Sequence, residues 1–153
     1  MEIKIFTNMP RNFENVDIPH SNELFCNDDY DNTDFPYLWM QSGQCTIIIV
    51  AIEDDNVIGG IQLSYTENGW MMPETNHRPK WCMMGMGVNK GHEGKGIATK
   101  LIEKQFEVMN ELGITDVGQS GYTKQGLESI YKTYERLITA NPHINYINDN
   151  RLF

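Results

Sequence analysis

Met86-Gly-Val-Asn-Lys-Gly-His-Glu-Gly-Lys-Gly-Ile-Ala-Thr-Lys-Leu-Ile-Glu-Lys-Gln-Phe106 is the stretch on which the fold turns. A strand-like run enters a glycine-rich turn, and the turn opens directly into a strongly patterned helix. Glycine lets the backbone approach a ligand without a Cβ in the way. The first turn of a helix leaves N–H groups unpaired, with the positive end of the macrodipole behind them. Together these features make a phosphate site. Spacing excludes the two commonest phosphate loops. A Walker loop needs Lys and then Ser or Thr after its second glycine, whereas Gly91 and Gly96 are followed by Ile97 and Ala98. A dinucleotide fingerprint needs a third glycine where Thr99 stands.

Working outward, the residues after the turn predict a helix from about Gly96 to Leu112. Ile97, Leu101, Ile102, Gln105, Phe106, Met109 and Leu112 fall on one face at the 3.6-residue period, and Gly113 is a natural helix stop. Before the turn, Trp81–Val88 reads as a strand with Gly85 and Gly87 inside it. Interior glycine weakens a strand unless a ligand or another backbone comes close, or the strand bulges. Upstream, Glu2–Phe6 alternates as a first strand, and Cys45–Ile52 and Val57–Tyr65 form a hairpin about the turn Glu53–Asn56. Short helices are expected near Ser21–Cys26 and Phe35–Gln41. Downstream, Ile114–Gly121 suggests a strand, Gln125–Leu137 a second helix and His143–Ile147 a closing strand. The strands flanking the main helix should lie parallel.

The turn Glu93-Gly94-Lys95-Gly96-Ile97-Ala98 resembles the acyl-CoA pyrophosphate loop of the GNAT superfamily of N-acetyltransferases. In that family Gln or Arg is followed, after two residues, by Gly-x-Gly/Ala between a strand and a long helix. Gly94, Gly96, Ile97 and Ala98 match; Glu93 departs from a position that is usually neutral or cationic. Lys90, Lys95 and Lys100 lie close in sequence to offset it. The chain order matches as well, from roughly Cys45 to Tyr134. The resemblance implies an α+β fold: a mixed, mostly antiparallel central sheet with a parallel, splayed strand pair, flanked by helices, as one domain over residues 1–153. It further implies acetyl-CoA as co-substrate. The backbone of Met86, Gly87 and Val88 would hold pantetheine, and Glu93, Gly94, Lys95, Gly96, Ile97 and Ala98 would hold the pyrophosphate.

The implied reaction is direct attack of a neutral primary amine on the thioester. A lysine-like amine is neutral in only about one part in a few thousand at pH 7, a deficit of roughly 4–5 kcal/mol, so a base helps. Many family members carry a carboxylate on the strand equivalent to Trp81–Val88; this strand has none. Glu53, Glu67, Asp116 and His92 are the remaining candidates, and the sequence singles out none. For the acid, Ser129-Ile-Tyr-Lys-Thr-Tyr134 resembles the family's segment whose tyrosine protonates the departing thiolate. Tyr131 aligns best, with Tyr134 as the fallback. The family's following Gly-Phe is Glu135-Arg136 here.

Composition bounds the rest. A chain of 153 residues with 40% apolar content fits one core. The longest apolar run, Ile47–Ile52, is far short of a membrane span, and the first residues, Met1–Asn8, do not read as a secretory h-region. Cys26, Cys45 and Cys82 read as reduced cytoplasmic thiols, and neither they nor the four histidines have metal spacing. A net charge of −9 opposes non-specific nucleic-acid binding; it either draws in a cationic amine partner or merely keeps the protein soluble. A homodimer is compatible with all of this. Asn27–Trp39 mixes carboxylates with aromatics and reads first as a solvated acidic loop, though the family sets substrate specificity in this region. A second reading is a GNAT-fold protein that binds acyl-CoA or a protein partner without turnover. A third, an acidic nucleic-acid mimic, rests on charge alone.

Overall fold

A computed structural model describes residues 1–8, 45–72 and 75–152. The expected helices near Ser21–Cys26 and Phe35–Gln41, and the acidic segment Asn27–Trp39, lie outside these residues. One six-stranded sheet runs in chain order, β1 (Glu2–Asn8), β2 (Thr46–Glu53), β3 (Asn56–Tyr65), β4 (Trp81–Val88), β5 (Asp116–Tyr122) and β6 (Asn145–Leu152). β1 to β4 pair antiparallel in succession, whereas β4–β5 and β5–β6 are parallel. Helices α1 (Ile97–Leu112), α2 (Lys124–Ser129) and α3 (Tyr131–Ala140) complete the order. The sheet is mixed and the strands flanking α1 are parallel, as expected.

Each element follows from local chemistry. The β2–β3 hairpin turns on Asp54 and Asp55, with φ of 51° and 63°. This is the left-handed pair whose twist suits a two-residue hairpin, and Asp tolerates it better than most residues. The seven stripe residues of α1 are all buried, together with Val108. Gly113, at φ 68°, ends the helix: its N–H reaches Asn110 O at 3.2 Å, and Ile114 N–H reaches Met109 O at 2.8 Å. β4 resolves its glycines partly by a bulge, because Gln62 pairs with Gly85 and Leu63 with Met83, leaving Met84 as the extra residue.

Strand alternation sorts the core into two clusters. Ile47, Ile49, Ile61 and Leu63 join the buried stripe of α1 on one face, while Phe6, Ile48, Val50, Ile52 and Val57 cluster on the other. α1 sits directly on β3. A Cβ built on Gly59 would lie 3.0 Å from Leu101 Cδ1 and 3.2 Å from Gly87 O.

A buried polar chain stitches the far side of the core. Tyr134 OH donates to Gln105 Oε1 at 2.6 Å, Gln105 Nε2 donates to Tyr146 OH at 3.1 Å, and Tyr146 OH donates to Gln119 Oε1 at 2.6 Å. Buried polar groups are costly unless bonded in this way. The four side chains link α1, α3, β5 and β6.

Strand ends shift by one or two residues in β1, β2, β3 and β5, and two elements differ further from the sequence-based expectation. The single helix expected over Gln125–Leu137 is two, broken at Ile130 (φ −118°, ψ −17°). Thr123 Oγ1 accepts from Gly126 N–H and caps α2. The break lets Tyr134 turn into the core, while α2 buries nothing. The last strand is Asn145–Leu152 rather than His143–Ile147. Pairing with β5 carries it through the polar Asn148-Asp149-Asn150, where intrinsic strand preference is low.

Candidate functional site

β4 and β5 are joined by only two register pairs, Trp81 with Val117 and Cys82 with Gly118. Beyond them the strands part, and no further pairing follows. At this last rung Met72 Sδ and Pro79 Cγ would meet a Cβ on Gly118 at 2.5 and 2.9 Å, so glycine is needed to let the β3–β4 loop cross there. Burial pushes the Cys82 thiol up to about 11, so it stays protonated at neutral pH.

Toward the carboxyl ends of β4 and β5 the parting becomes a cleft of about 360 Å³. Met86, Gly87 and Val88 of β4 form one wall, and Thr123, Gln125, Gly126, Ser129 and Ile130 face them from α2 and its flanks. The β4–α1 loop and first turn of α1 close the mouth through His92, Glu93, Gly94, Gly96, Ile97, Ala98 and Thr99. Eight of the nine residues assigned from sequence to cofactor binding therefore share one cleft; Lys95, which is exposed, is not among those lining it.

The loop has the electrostatics of an anion site. Gly91, Gly94 and Gly96 take φ of 93°, 77° and 76°, and a Cβ on any of them would meet no atom within 4 Å. Glycine is required here by conformation, with open space above it. Among the described residues, no backbone N–H from Glu93 through Thr99 finds an intramolecular acceptor; the neighbouring bonds are His92 N–H to Asn89 O at 3.0 Å and Lys100 N–H to Gly96 O at 3.1 Å. A row of free amides at the amino end of a 16-residue helix offers donors and partial positive charge to one face of the cleft.

Two anchors of this loop carried no signal in the sequence. Asn89 is buried at the end of β4; its N–H reaches Ile58 O at 2.8 Å and its Nδ2 reaches Val57 O at 2.9 Å. Gln125 Nε2 donates to Glu93 Oε1 at 3.3 Å, bracing the loop against α2 across the mouth.

The acid and base candidates are scattered. Tyr131 is half-buried with its ring edge-on to Tyr122, centroids 5.5 Å apart, and the adjacent Ile130 takes the place in the cleft wall. Burial first, and the Glu135 carboxylate second, raise the Tyr131 phenol above its ordinary value. Tyr134, the fallback, is fully buried with its hydroxyl committed to Gln105. It therefore belongs to the core. Glu67 accepts from Tyr65 OH and pairs with Lys80 at 3.5 Å. Asp116 is held at the foot of β5 by His77 Nε2 at 2.7 Å and Asn145 Nδ2 at 3.1 Å. His92 lines the cleft mouth with Nδ1 3.8 Å from Glu53 Oε2. Glu93 is the one carboxylate among the described residues lining the cleft.

A parted parallel strand pair and a left-handed glycine loop opening a helix thus meet in one chain. The family model described as the Acetyltransferase (GNAT) family matches residues 13–136, most of the sequence. The chain belongs to the GNAT acetyltransferase family. No curated protein matches the sequence. Among solved structures, an aminoglycoside acetyltransferase from an uncultured soil metagenomic sample is 23% identical, covering 63% of this chain and 60% of that one at a TM-score of 0.45. A ribosomal-protein-alanine N-acetyltransferase from Brucella melitensis biovar Abortus 2308 is 22% identical over 60% of this chain and 61% of that one, TM-score 0.42. A transcriptional regulator from Bacillus halodurans C-125 is 23% identical over 60% and 57%, TM-score 0.43. This GNAT chain spans about three fifths of the length of each. The three bear different descriptions, and likenesses this distant choose no activity for it. No described helix is long and apolar enough to cross a membrane, and no described group of His, Cys, Asp and Glu could hold a metal ion.

Proposed function

We propose that this GNAT chain is an N-acetyltransferase that takes acetyl-CoA as co-substrate and transfers the acetyl group to a primary amine. The observation that carries this reading is the row of unpaired amides from Glu93 to Thr99 above three left-handed glycines, at the mouth of a parted strand pair. These amides suit a diphosphate. The main chain of Met86, Gly87 and Val88, which β5 does not pair with, suits an amide-bearing arm lying along β4, and an N–H there would polarise a carbonyl. Acetyl-CoA supplies an activated thioester, so the chain needs no covalent nucleophile of its own. Its tasks are to hold the thioester, admit the amine and return a proton to the departing sulfur.

For that proton we assign Tyr131. Its raised phenol stays protonated through the neutral range, as a donor must. A net charge of −9 favours a cationic acceptor amine. The amine's own proton has no carboxylate on β4 to receive it.

Calorimetry with acetyl-CoA, followed by thiol release with a panel of primary amines, tests the reading. Absence of acetyl-CoA binding would reject it. Binding without turnover on any amine would leave a GNAT-fold binder. Tyr131→Phe is expected to lower the turnover rate roughly a hundredfold with acetyl-CoA affinity unchanged; an unaltered rate would remove Tyr131 from the chemistry. Glu93→Gln should tighten acetyl-CoA binding several-fold, about the scale of one exposed charge interaction. Weaker binding would mean that the brace to Gln125 outweighs the carboxylate's repulsion.

A further inference from the structure

We infer that Tyr122, Asn148 and Glu135 are positioning residues that aim the Tyr131 hydroxyl at the departing sulfur; the inference rests on the acetyl-transfer reading above. Tyr131 opens α3 directly after Ile130, and Ile130 stands in the cleft wall. The direction of the Tyr131 ring therefore decides whether its hydroxyl serves the cleft. The main chain gives that ring little support. No side chain caps α3 at Ile130, and α2 before it buries nothing. The first turn of an uncapped helix, with its amides unpaired, is the part that frays most easily.

Side chains from three elements supply what the backbone lacks. The Tyr122 ring of β5 meets the Tyr131 ring edge-on, centroids 5.5 Å apart at 77°. Tyr122 is itself held from β6: its hydroxyl donates to Asn148 Oδ1, and Asn148 Nδ2 donates to Glu135 Oε1 at 2.7 Å. Glu135 lies one turn beyond Tyr131 on α3, so the circuit returns to the helix it started from. Its carboxylate acts on the Tyr131 phenol as well, second to burial in raising it. The direction of each bond is fixed from the charged end. A carboxylate only accepts, which turns the Asn148 amide nitrogen toward Glu135 and its oxygen toward Tyr122. Burial raises the Tyr122 phenol, so that hydroxyl keeps its proton and donates. The bond to the carboxylate is the stronger kind, with a charged acceptor. The amide thus has one orientation and the Tyr122 ring one direction. Asn148 belongs to the polar stretch through which β6 is carried by its pairing with β5. Glu135 stands where the family's segment has glycine, so the circuit is a property of this chain.

Steady-state rates and acetyl-CoA calorimetry on Asn148→Ala, Glu135→Ala and Glu135→Gln, each also combined with Tyr131→Phe, test it. Asn148→Ala and Glu135→Ala are expected to lower kcat about tenfold, the scale of a small misplacement at the reacting group, with acetyl-CoA affinity unchanged. Glu135→Gln keeps an acceptor for Asn148 Nδ2 and should recover most of what Glu135→Ala loses. On the Tyr131→Phe background no hydroxyl remains to be aimed. There the same substitutions should change kcat by less than about twofold, as expected of residues that act through one another. A general structural role would lower the rate equally on both backgrounds, and that result would overturn the inference. Wild-type kcat in Asn148→Ala, or a Glu135→Gln as slow as Glu135→Ala, would overturn it too. An unaltered rate in Tyr131→Phe alone would remove the hydroxyl being aimed, and this inference with it, while leaving acetyl transfer intact. Absence of turnover in the wild type on any amine would instead overturn the acetyl-transfer reading itself.

Discussion

Replacing Gly96 with alanine is expected to cost roughly thirtyfold in acetyl-CoA affinity. Gly96 sits at the start of α1 with φ 76° and ψ 10°, and a Cβ there would meet nothing within 4 Å. The penalty is therefore purely conformational, about 1–2 kcal/mol for an L-residue held left-handed. The loop can escape that strain by rotating Gly96 out of the left-handed region, which swings the following amides away from the cleft. Binding must then restore the strain, and 2 kcal/mol corresponds to about thirtyfold. Gly113 provides the internal control. It has φ 68° at the other end of the same helix, also in open space. Gly113→Ala should lose similar stability, about 1–2 kcal/mol, with acetyl-CoA affinity unchanged. Thermal unfolding and calorimetry on both variants separate the outcomes. Equal loss of affinity in the two would attribute the effect to the helix rather than the loop, and unaltered affinity in Gly96→Ala would show that the loop amides hold nothing.

Phe106→Ala is expected to remove about 3–5 kcal/mol of stability. Phe106 is almost wholly buried and stacks on Tyr146, ring centroids 5.4 Å apart at 26°, with Tyr134 at 6.3 Å. It is the apolar counterpart of the Tyr134–Gln105–Tyr146 hydrogen bonds beside it. Truncation would leave a void among rings that are themselves fixed by those bonds, so the site has little freedom to collapse. At about 2–4 °C per kcal/mol for a chain of this size, the unfolding midpoint should drop by roughly 6–20 °C. A fall below about 3 °C would mean that the rings repack into the space and that the polar chain is less rigid than its geometry implies.

The elements legible in the sequence were those whose signal is periodic or stereochemical. The α1 stripe, the stop at Gly113 and the β2–β3 hairpin each followed from spacing or from a residue type with a narrow conformational role, and the structure has all three. The parallel pairing of β4 with β5 followed from chain order. The break at Ile130 was not legible, because no glycine or proline marks it; it arises from the different burial of Tyr134 and of α2. Tyr131 and Tyr134, three residues apart and chemically alike, could not be told apart by pattern, yet one is fully buried against Gln105 and the other is not. The same applies to Glu53 and His92. Their approach depends on where a hairpin end falls relative to a loop nearly forty positions later, which periodicity does not encode. Nor could a sequence reveal Gln125 as the brace for Glu93. The general base had no signal on β4, and the geometry nominates no replacement there.

The two-rung joint between β4 and β5 has a mechanical corollary. Four strands lie on one side of it and two on the other, and what binds these panels together is mostly side-chain packing through α1 and α3. Widening or narrowing the slot past Cys82 and Gly118 therefore ruptures no ladder, since none exists there to rupture.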